Sequence, residues 1–403
     1  MRNPARKERL YYAAGPGDVV TTFRHWTISG DDPRQFARTY SAQFFDLVKK
    51  RDAEGWVVST AEETGYARGE NLHVRNRPLP KLPWLGRQIV AAARLAFDLL
   101  RLRPDAAVVA EGTTLWTLML PLRLLGFRVV PTIHCVLRRP DAGRARRVFE
   151  AIESWSLKHL APAALSASAE IEAQLPIGQK SHRFLPTYRR DRFEGMAAPE
   201  WDANGFRMLY IGRVEADKGV FELLDAVARL NEKSDRVFRL DVCGTGGALA
   251  PLSEQVEMRG LNRVVSLKGH CSFEKLGACL ADSHAVVVPT TSRFVEGFNQ
   301  VIVEGVLARR PVIATTVCPS AALFDERAVR RIAPDSTDSI VDAVLALSAD
   351  EESYRAAAIA ASEAAEGSWF FSETHSWATQ CAALLEASHS ETSPSFTSLE
   401  IPS

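Results

Sequence analysis

Short apolar runs recur along the chain and alternate with longer segments whose apolar residues fall at helical spacing. In the first half, residues 9–14, 56–59, 72–75, 106–110, 128–134, 164–166 and 182–185 read as strands. Residues 35–50, 86–102, 114–125 and 144–160 read as helices, with a short one from Ser168. The pattern lapses over 186–204, where Pro186, Pro199, paired arginines and Asn204-Gly205 mark a linker. A second alternation follows, with strands at 206–211, 237–242, 264–267, 285–288, 312–314 and 329–332. Its helices are expected at 220–230, 249–259, 273–280, 300–308 and 337–348. Strands alternating with crossover helices predict a doubly wound parallel sheet, here twice over: an α/β chain of two Rossmann-like domains. The boundaries expected are 1–188, a linker at 189–204, and 205–366. Residues 367–387 carry Trp369, Phe370, Phe371 and Trp377, and so should dock on something already folded. The Ser-, Thr- and Pro-rich tail at 388–403 is expected to be disordered.

Composition narrows the function classes. With 403 residues, 46% of them hydrophobic, the chain can bury the core of two domains. Lys plus Arg and Asp plus Glu both number 49, so no global charge draws it to nucleic acid. Six scattered cysteines without a CxxC pair fit a reduced, cytoplasmic setting. No signal-length apolar core follows the basic start, and no apolar run is long enough to span a bilayer.

Candidate chemistry concentrates at 293–308. Glu296 lies in the loop after the strand at 285–288, where open parallel sheets bind ligands. Glu304 interrupts an apolar run from Val301 to Ala308, which is costly unless something pairs with it. Between them, backbone N–H groups near Phe298 to Val301 open a helix and favour an anion. A phosphate there, with a carboxylate on either side for sugar hydroxyls, accounts for all three. A solvated Glu296 and a backbone-bonded Glu304 account for the two acids equally well. Upstream, Gly212-Arg213 and Lys218-Gly219 bring a tight turn and two cations to the same sheet edge, suited to a diphosphate or simply surface charge. Gly244, after the next strand, adds another glycine-rich loop.

The first half offers thinner signals. Gly15 and Gly17 form a turn after the first strand, which is either a ligand approach or an ordinary turn; it is not GxGxxG. Asp31-Asp32 read as a helix start rather than a metal pair. His134 ends a strand and so points to the ligand edge, though a lone histidine is more often structural. The helix at 86–102 carries Arg87, Arg94 and Arg101 beside Ile89, Leu95, Phe97 and Leu100. With the cluster Arg138, Arg139, Arg144, Arg146 and Arg147, it fits either a solvated surface or peripheral contact with an anionic membrane.

Taken together, Tyr210-Ile211-Gly212-Arg213, Lys218-Gly219, Cys243-Gly244-Thr245-Gly246, Pro289, Glu296-Gly297-Phe298, Glu304 and Arg310-Pro311-Val312-Ile313-Ala314-Thr315 resemble a known family. The chain is similar to retaining glycosyltransferases of family four, the glycosyl transferases group 1, strongly over 206–320 and only in outline before that. The resemblance implies the GT-B architecture, two Rossmann-like domains facing across a cleft, with the late helix crossing back to the first. It implies that Arg213 and Lys218 meet a donor diphosphate, Glu304 the ribose, and Glu296 the transferred sugar. Gly212, Gly244, Gly297, Phe298 and Asn299 would line the donor site, His134 would touch the donor sugar, and Gly15 and Gly17 would approach the diphosphate. Departures are Asn299, Gly305, Arg310 and Cys318-Pro319-Ser320, where glycine or alanine is common in the family.

The activity implied is transfer of a sugar from a nucleotide-diphosphate donor to a glycan or lipid-linked acceptor, without metal or cofactor, in exopolysaccharide or cell-envelope glycan synthesis. The expected site of action is the cytoplasm, at the inner face of the membrane if the acceptor is a lipid. The rival readings are a sugar-nucleotide epimerase of the same fold and a non-catalytic nucleotide-sugar-binding partner. A diphosphate clamp further predicts that Lys218→Ala costs transfer rate far more than folding stability.

Overall fold

The structure, a computed structural model, describes residues 6–139, 142–294 and 296–387. The first five residues, Asp141 of the arginine-rich stretch, and the tail expected to be disordered lie outside them. Contacts divide the chain into two compact units, one running to Tyr188 and resuming at Ser372, the other Arg189–Phe371.

The first unit holds strands β1 (Arg9–Ala13), β2 (Glu54–Ser59), β3 (Gly65–Arg68), β4 (Leu72–Asn76), β5 (Ala106–Ala110), β6 (Val129–Ile133), β7 (Ala163–Ser166) and β8 (Lys180–Arg183). They form one sheet in the order β3-β4-β2-β1-β5-β6-β7-β8, parallel except for the edge pair β3–β4. Around it lie α1 (Val19–Ser29), α2 (Tyr40–Lys50), α3 (Trp84–Leu102), α4 (Trp116–Leu124), α5 (Arg144–Leu160) and α6 (Ala169–Gln174). β5 and β6 are buried along their whole length, as central strands covered on both faces must be.

The second unit alternates regularly. It runs β9 (Gly205–Ile211), α7 (Val220–Lys233), β10 (Val237–Cys243), α8 (Leu249–Met258), β11 (Val265–Gly269), α9 (Phe273–Asp282), β12 (Ala285–Val288), α10 (Gln300–Leu307), β13 (Val312–Thr315), β14 (Val329–Ile332), α11 (Thr337–Ser348) and α12 (Glu351–Glu366). Its six strands are all parallel, in the order β11-β10-β9-β12-β13-β14. Counted within the unit this is 3-2-1-4-5-6, so the chain reverses direction across the sheet between β9 and β12. Loops leaving the carboxyl ends of those two strands flank the crevice where such sheets take ligands. Both units are thus Rossmann-like parallel-sheet α/β structures. The last helix, α13 (Trp377–Ala387), packs on α2, β7 and β8 of the first unit. Trp377 is wholly buried there, donating Nε1–H to Thr132 Oγ1 at 3.0 Å.

Several elements differ from the sequence expectation. α1 was not expected, because its Val-Val-Thr-Thr start favours strand over helix. Asp18 caps it by accepting from the Thr21 amide at 3.0 Å, and Gly30 closes it with φ 74°. Asp31 and Asp32 therefore do not start a helix: α2 begins later, behind the Thr39 cap. Both acids are buried, and Asp32 accepts from Thr22 Oγ1 at 2.9 Å and pairs with Arg34 at 2.7 Å. β3 and the alanine-rich α12 are further additions.

Candidate active site

In the second unit the loops after β9, β10 and β12 pack backbone against backbone. Gly212 has φ 145°, and its amide donates to Cys243 O at 3.0 Å. A Cβ on Gly244 would lie 1.7 Å from Gly212 O, so no other residue fits there. Gly219, with φ 75°, is held equally tightly: an added Cβ would sit 1.9 Å from Pro289 O at the end of β12. The amide and hydroxyl of Thr291 both donate to Asp217 O, at 3.1 and 2.9 Å, tying the same two loops. Backbone packing thus fixes the one-turn segment Ala216–Lys218 beside the loop that carries Glu296.

That arrangement brings Lys218 onto Glu296 in a short ion pair between Nζ and Oε1, with side chains only 14% and 9% exposed. The pair spans the reversal point of the sheet. Glu296 Oε1 also accepts from Asn299 Nδ2 at 3.2 Å and Thr290 Oγ1 at 3.5 Å. Nothing among the described residues donates to Oε2. The Lys218 ammonium stands 3.5 Å from the ring centre of Phe294, and the Arg213 guanidinium lies 5.5 Å from the same ring. Arg213 is exposed and has no carboxylate partner among the described residues.

Asn299 caps α10, its Oδ1 accepting from the Ile302 amide at 3.4 Å. Ser320 holds Asn299 in place by donating to its carbonyl at 2.7 Å. Two of the residues that depart from the family pattern are thus bonded to each other. Gly305, a third, lies close on the sheet: a Cβ would meet Val312 at 2.8 Å. Arg310, a fourth, is fully buried and donates to the carbonyls of Leu280, Ala281 and Ala308, a structural plug. Glu304, on the second turn of α10, is buried, and its carboxylate has no hydrogen-bond partner among the described residues. Burial alone pushes its pKa up to about 7. Gly297 is buried and Phe298 half-buried, its ring 6.3 Å from Phe370. Arg213, Lys218, Glu296, Asn299 and Glu304 therefore all stand on the carboxyl-end loops of β9 and β12 or on the helix that follows.

Gly15, Gly17 and His134 belong to the first unit. Gly15, with φ 72°, follows β1, whereas a Cβ on Gly17 would meet nothing. His134 follows β6, its ring packed on Tyr40 and Phe184 at 4.7 and 5.4 Å. Burial lowers its pKa to about 4, so the imidazole is neutral at physiological pH. The sequence reading missed Glu111, directly after β5. Its Oε2 accepts from the amides of His134 and Cys135 at 3.0 and 2.8 Å. Burial raises Glu111 to about 7 against the pull of those two donors. Its signal was an acid followed by glycine directly after an apolar strand; the same Glu-Gly pair recurs at Glu296-Gly297, farther along the loop that leaves β12. Among the described residues no group of three His, Cys, Asp or Glu side chains could hold a metal ion. No described helix is long and apolar enough to cross a membrane.

Residues 191–364 match the family described as glycosyl transferases group 1. Alpha-D-kanosaminyltransferase of Streptomyces kanamyceticus is 30% identical over 251 residues, covering 57% of this chain and 64% of that enzyme. The chain spans 27–31% of three further curated glycosyltransferases; two are named for teichuronic acid biosynthesis and for poly(ribitol-phosphate). Among solved structures, sucrose-phosphate synthase from Thermosynechococcus elongatus shares the fold at TM-score 0.70 and 14% identity, over 95% of this chain and 99% of that one. Anabaena HepE in complex with UDP and glucose does so at TM-score 0.65 and 15% identity, over 95% and 100%. The two-unit fold is GT-B.

Proposed function

We propose that the chain, whose residues 191–364 match the glycosyl transferases group 1, is a retaining glycosyltransferase using a nucleotide-diphosphate-sugar donor. The observation that carries this is the Lys218–Glu296 pair across the reversal point of the second sheet, close along the chain to the buried Glu304, whose carboxylate has no partner among the described residues. A hydroxyl-bearing ligand supplies the donors that Glu304 lacks, and the ribose of a nucleotide has two of them. Glu296 Oε2 is open to hydroxyls of the transferred sugar. Arg213 and Lys218 face the diphosphate, with the start of α10 beside them.

In the reaction, the bond between the anomeric carbon and the phosphate oxygen breaks, and its electron pair leaves with the diphosphate. Fixed cations stabilise that charge as it develops, which removes the need for a metal. The acceptor hydroxyl attacks on the same face, and its proton passes to the departing phosphate. His134, neutral and packed, is assigned to contact with the donor sugar. The acceptor is a glycan or a lipid-linked glycan, and envelope glycan assembly is the setting that the polymer-modifying relatives support.

The test is incubation of the full chain with a panel of nucleotide sugars, following nucleoside diphosphate release with and without acceptor extracts. Slow release without acceptor, with the anomeric configuration kept in the transferred product, is expected. Epimerised sugar nucleotide with no release would make the protein an epimerase. Binding of nucleotide sugar with neither outcome would make it a binding partner.

A further inference from the structure

Apolar side chains exposed to solvent are not spread evenly over the chain. Among the described residues, eleven of the seventeen large ones lie between Leu82 and Trp155, on α3, α4, α5 and their flanks. α3 buries Ala91, Leu95 and Leu99. A second stripe on it, Leu85, Ile89, Phe97 and Leu100, runs along its open side, where a surface helix ordinarily carries charge. α5 repeats the arrangement, with Val148, Ile152 and Trp155 on one exposed face. The two stripes are linked: Trp84 sets its ring against Phe149 at 6.0 Å, and α4 packs on both α3 and α5. Trp84 and Trp155 remain 58% and 56% exposed.

The charges on these helices are one-sided. Arg87, Arg101, Arg123, Arg144, Arg147 and Lys158 are exposed and form no ion pair among the described residues. The acids face inward. Asp98 takes Arg77 and the Tyr11 hydroxyl, Glu150 is buried against Arg146, and Glu153 accepts from the amides of Trp116 and Thr117. In a chain whose total charge is zero, this is a surface of exposed cations and apolar side chains with no exposed carboxylate on its helices.

We propose that the face formed by α3, α4 and α5 docks on an anionic lipid surface, the tryptophans and aliphatic side chains entering the headgroup boundary and the arginines meeting lipid phosphates. The chemistry favours lipid over a protein partner. A protein interface also favours arginine and tryptophan, so the choice rests on sign: every exposed charge on these helices is positive and runs beside the apolar stripes, as in helices that lie in an anionic membrane interface. The proposal stands apart from the donor reading, because binding to lipid is measured without any sugar nucleotide.

The full chain is sedimented at low salt with vesicles of phosphatidylcholine alone or mixed with phosphatidylglycerol. Pelleting with the mixed vesicles only, weakening as salt rises, is expected. The triple variant Arg87→Glu, Arg144→Glu, Arg147→Glu should lower partitioning by about tenfold or more. The pair Val148→Ser, Trp155→Ser should do the same at unchanged net charge. Both variants alter exposed positions and should melt as the parent does and keep its nucleotide-sugar binding. Absence of pelleting with mixed vesicles, equal pelleting with neutral ones, or binding indifferent to both variants would overturn the proposal. So would lipid-free self-association abolished by Val148→Ser, Trp155→Ser, which would assign the face to a second copy of the chain.

Discussion

Replacing Glu304 by Gln separates the cost of this residue from its use. Its carboxyl titrates near 7 in the folded chain against an ordinary 4.5, because burial disfavours the charged form and no donor compensates. The folded state therefore holds a proton that the unfolded chain has released, and stability falls as pH rises from about 4.5 to 7. Fully developed, that gap is worth about 3 kcal/mol at pH 8, and under about 1 kcal/mol at pH 5. Glu304→Gln removes the titration and leaves a buried amide whose own cost is the same at both pH values. The variant should therefore gain on the parent by about 2–3 kcal/mol more at pH 8 than at pH 5. For a unit of this size that is about 5–10 °C in melting temperature, read by calorimetry without ligand. Nucleotide-sugar binding should move the other way. Hydroxyl donors favour the ionised carboxylate, so parental affinity should rise with pH up to about 7, and the variant should bind weakly and without that slope. A melting difference independent of pH, or parental affinity independent of pH, would refute the assignment of Glu304 as a carboxylate kept for ligand hydroxyls.

Lys218→Met should cost about 3–5 kcal/mol of stability as well as activity, because it strands the buried Glu296; adding Glu296→Gln should restore the melting temperature but not nucleotide release. Gly219→Ala, which combines a left-handed backbone with a 1.9 Å clash against Pro289, should lose at least about 2 kcal/mol together with activity. Gly17→Ala, by contrast, should leave melting unchanged within about 0.5 kcal/mol, so an activity loss in that variant would mark a direct ligand contact. Trp377→Ala should destabilise the first unit by about 3–5 kcal/mol through its cavity and the lost bond to Thr132, as measured by urea denaturation.

The second unit was more legible in sequence than the first, for a physical reason. Its strands are short, mostly apolar and separated by regular amphipathic helices, so periodicity alone placed β9 through β14 within a residue or two. α1 defeated the same reading because β-branched residues open it, and only its Asp18 cap and Gly30 stop betray it. Asp31 and Asp32 looked like a cap because two acids before a proline usually are one; a buried bond to Thr22 decided otherwise. At the site, residue types and order pointed to Arg213, Lys218, Glu296 and Glu304. No pattern along the chain could show that Lys218 and Glu296 touch, since that contact depends on two loops joined by backbone packing. The expectation that Lys218→Ala would cost transfer rate far more than stability followed from the diphosphate clamp alone; the buried ion pair adds a stability cost that no motif along the chain could show. Glu111 went unread because its work is done on the backbone of residues 134 and 135, which carry no side-chain signature.

The Lys218–Glu296 contact bears on how such a site can exist before a ligand arrives. Two nearly buried charges in an apolar crevice would each be costly alone, and together they satisfy one another. The pairing also spends in advance the side-chain freedom that a long lysine would otherwise lose on binding. Phe294 beneath the ammonium and the hydrogen bonds from Asn299 and Thr290 fix the geometry further. A diphosphate would then meet an ammonium already in place, with Arg213 free to turn toward it. Glu296 is bound through Oε1, and among the described residues nothing donates to its Oε2. Asn299 joins this arrangement to the helix, since one side chain both caps α10 and holds Glu296. The residue that departs from the family pattern at that position is therefore the one that couples the Glu296 carboxylate to the start of α10, and glycine there could do neither.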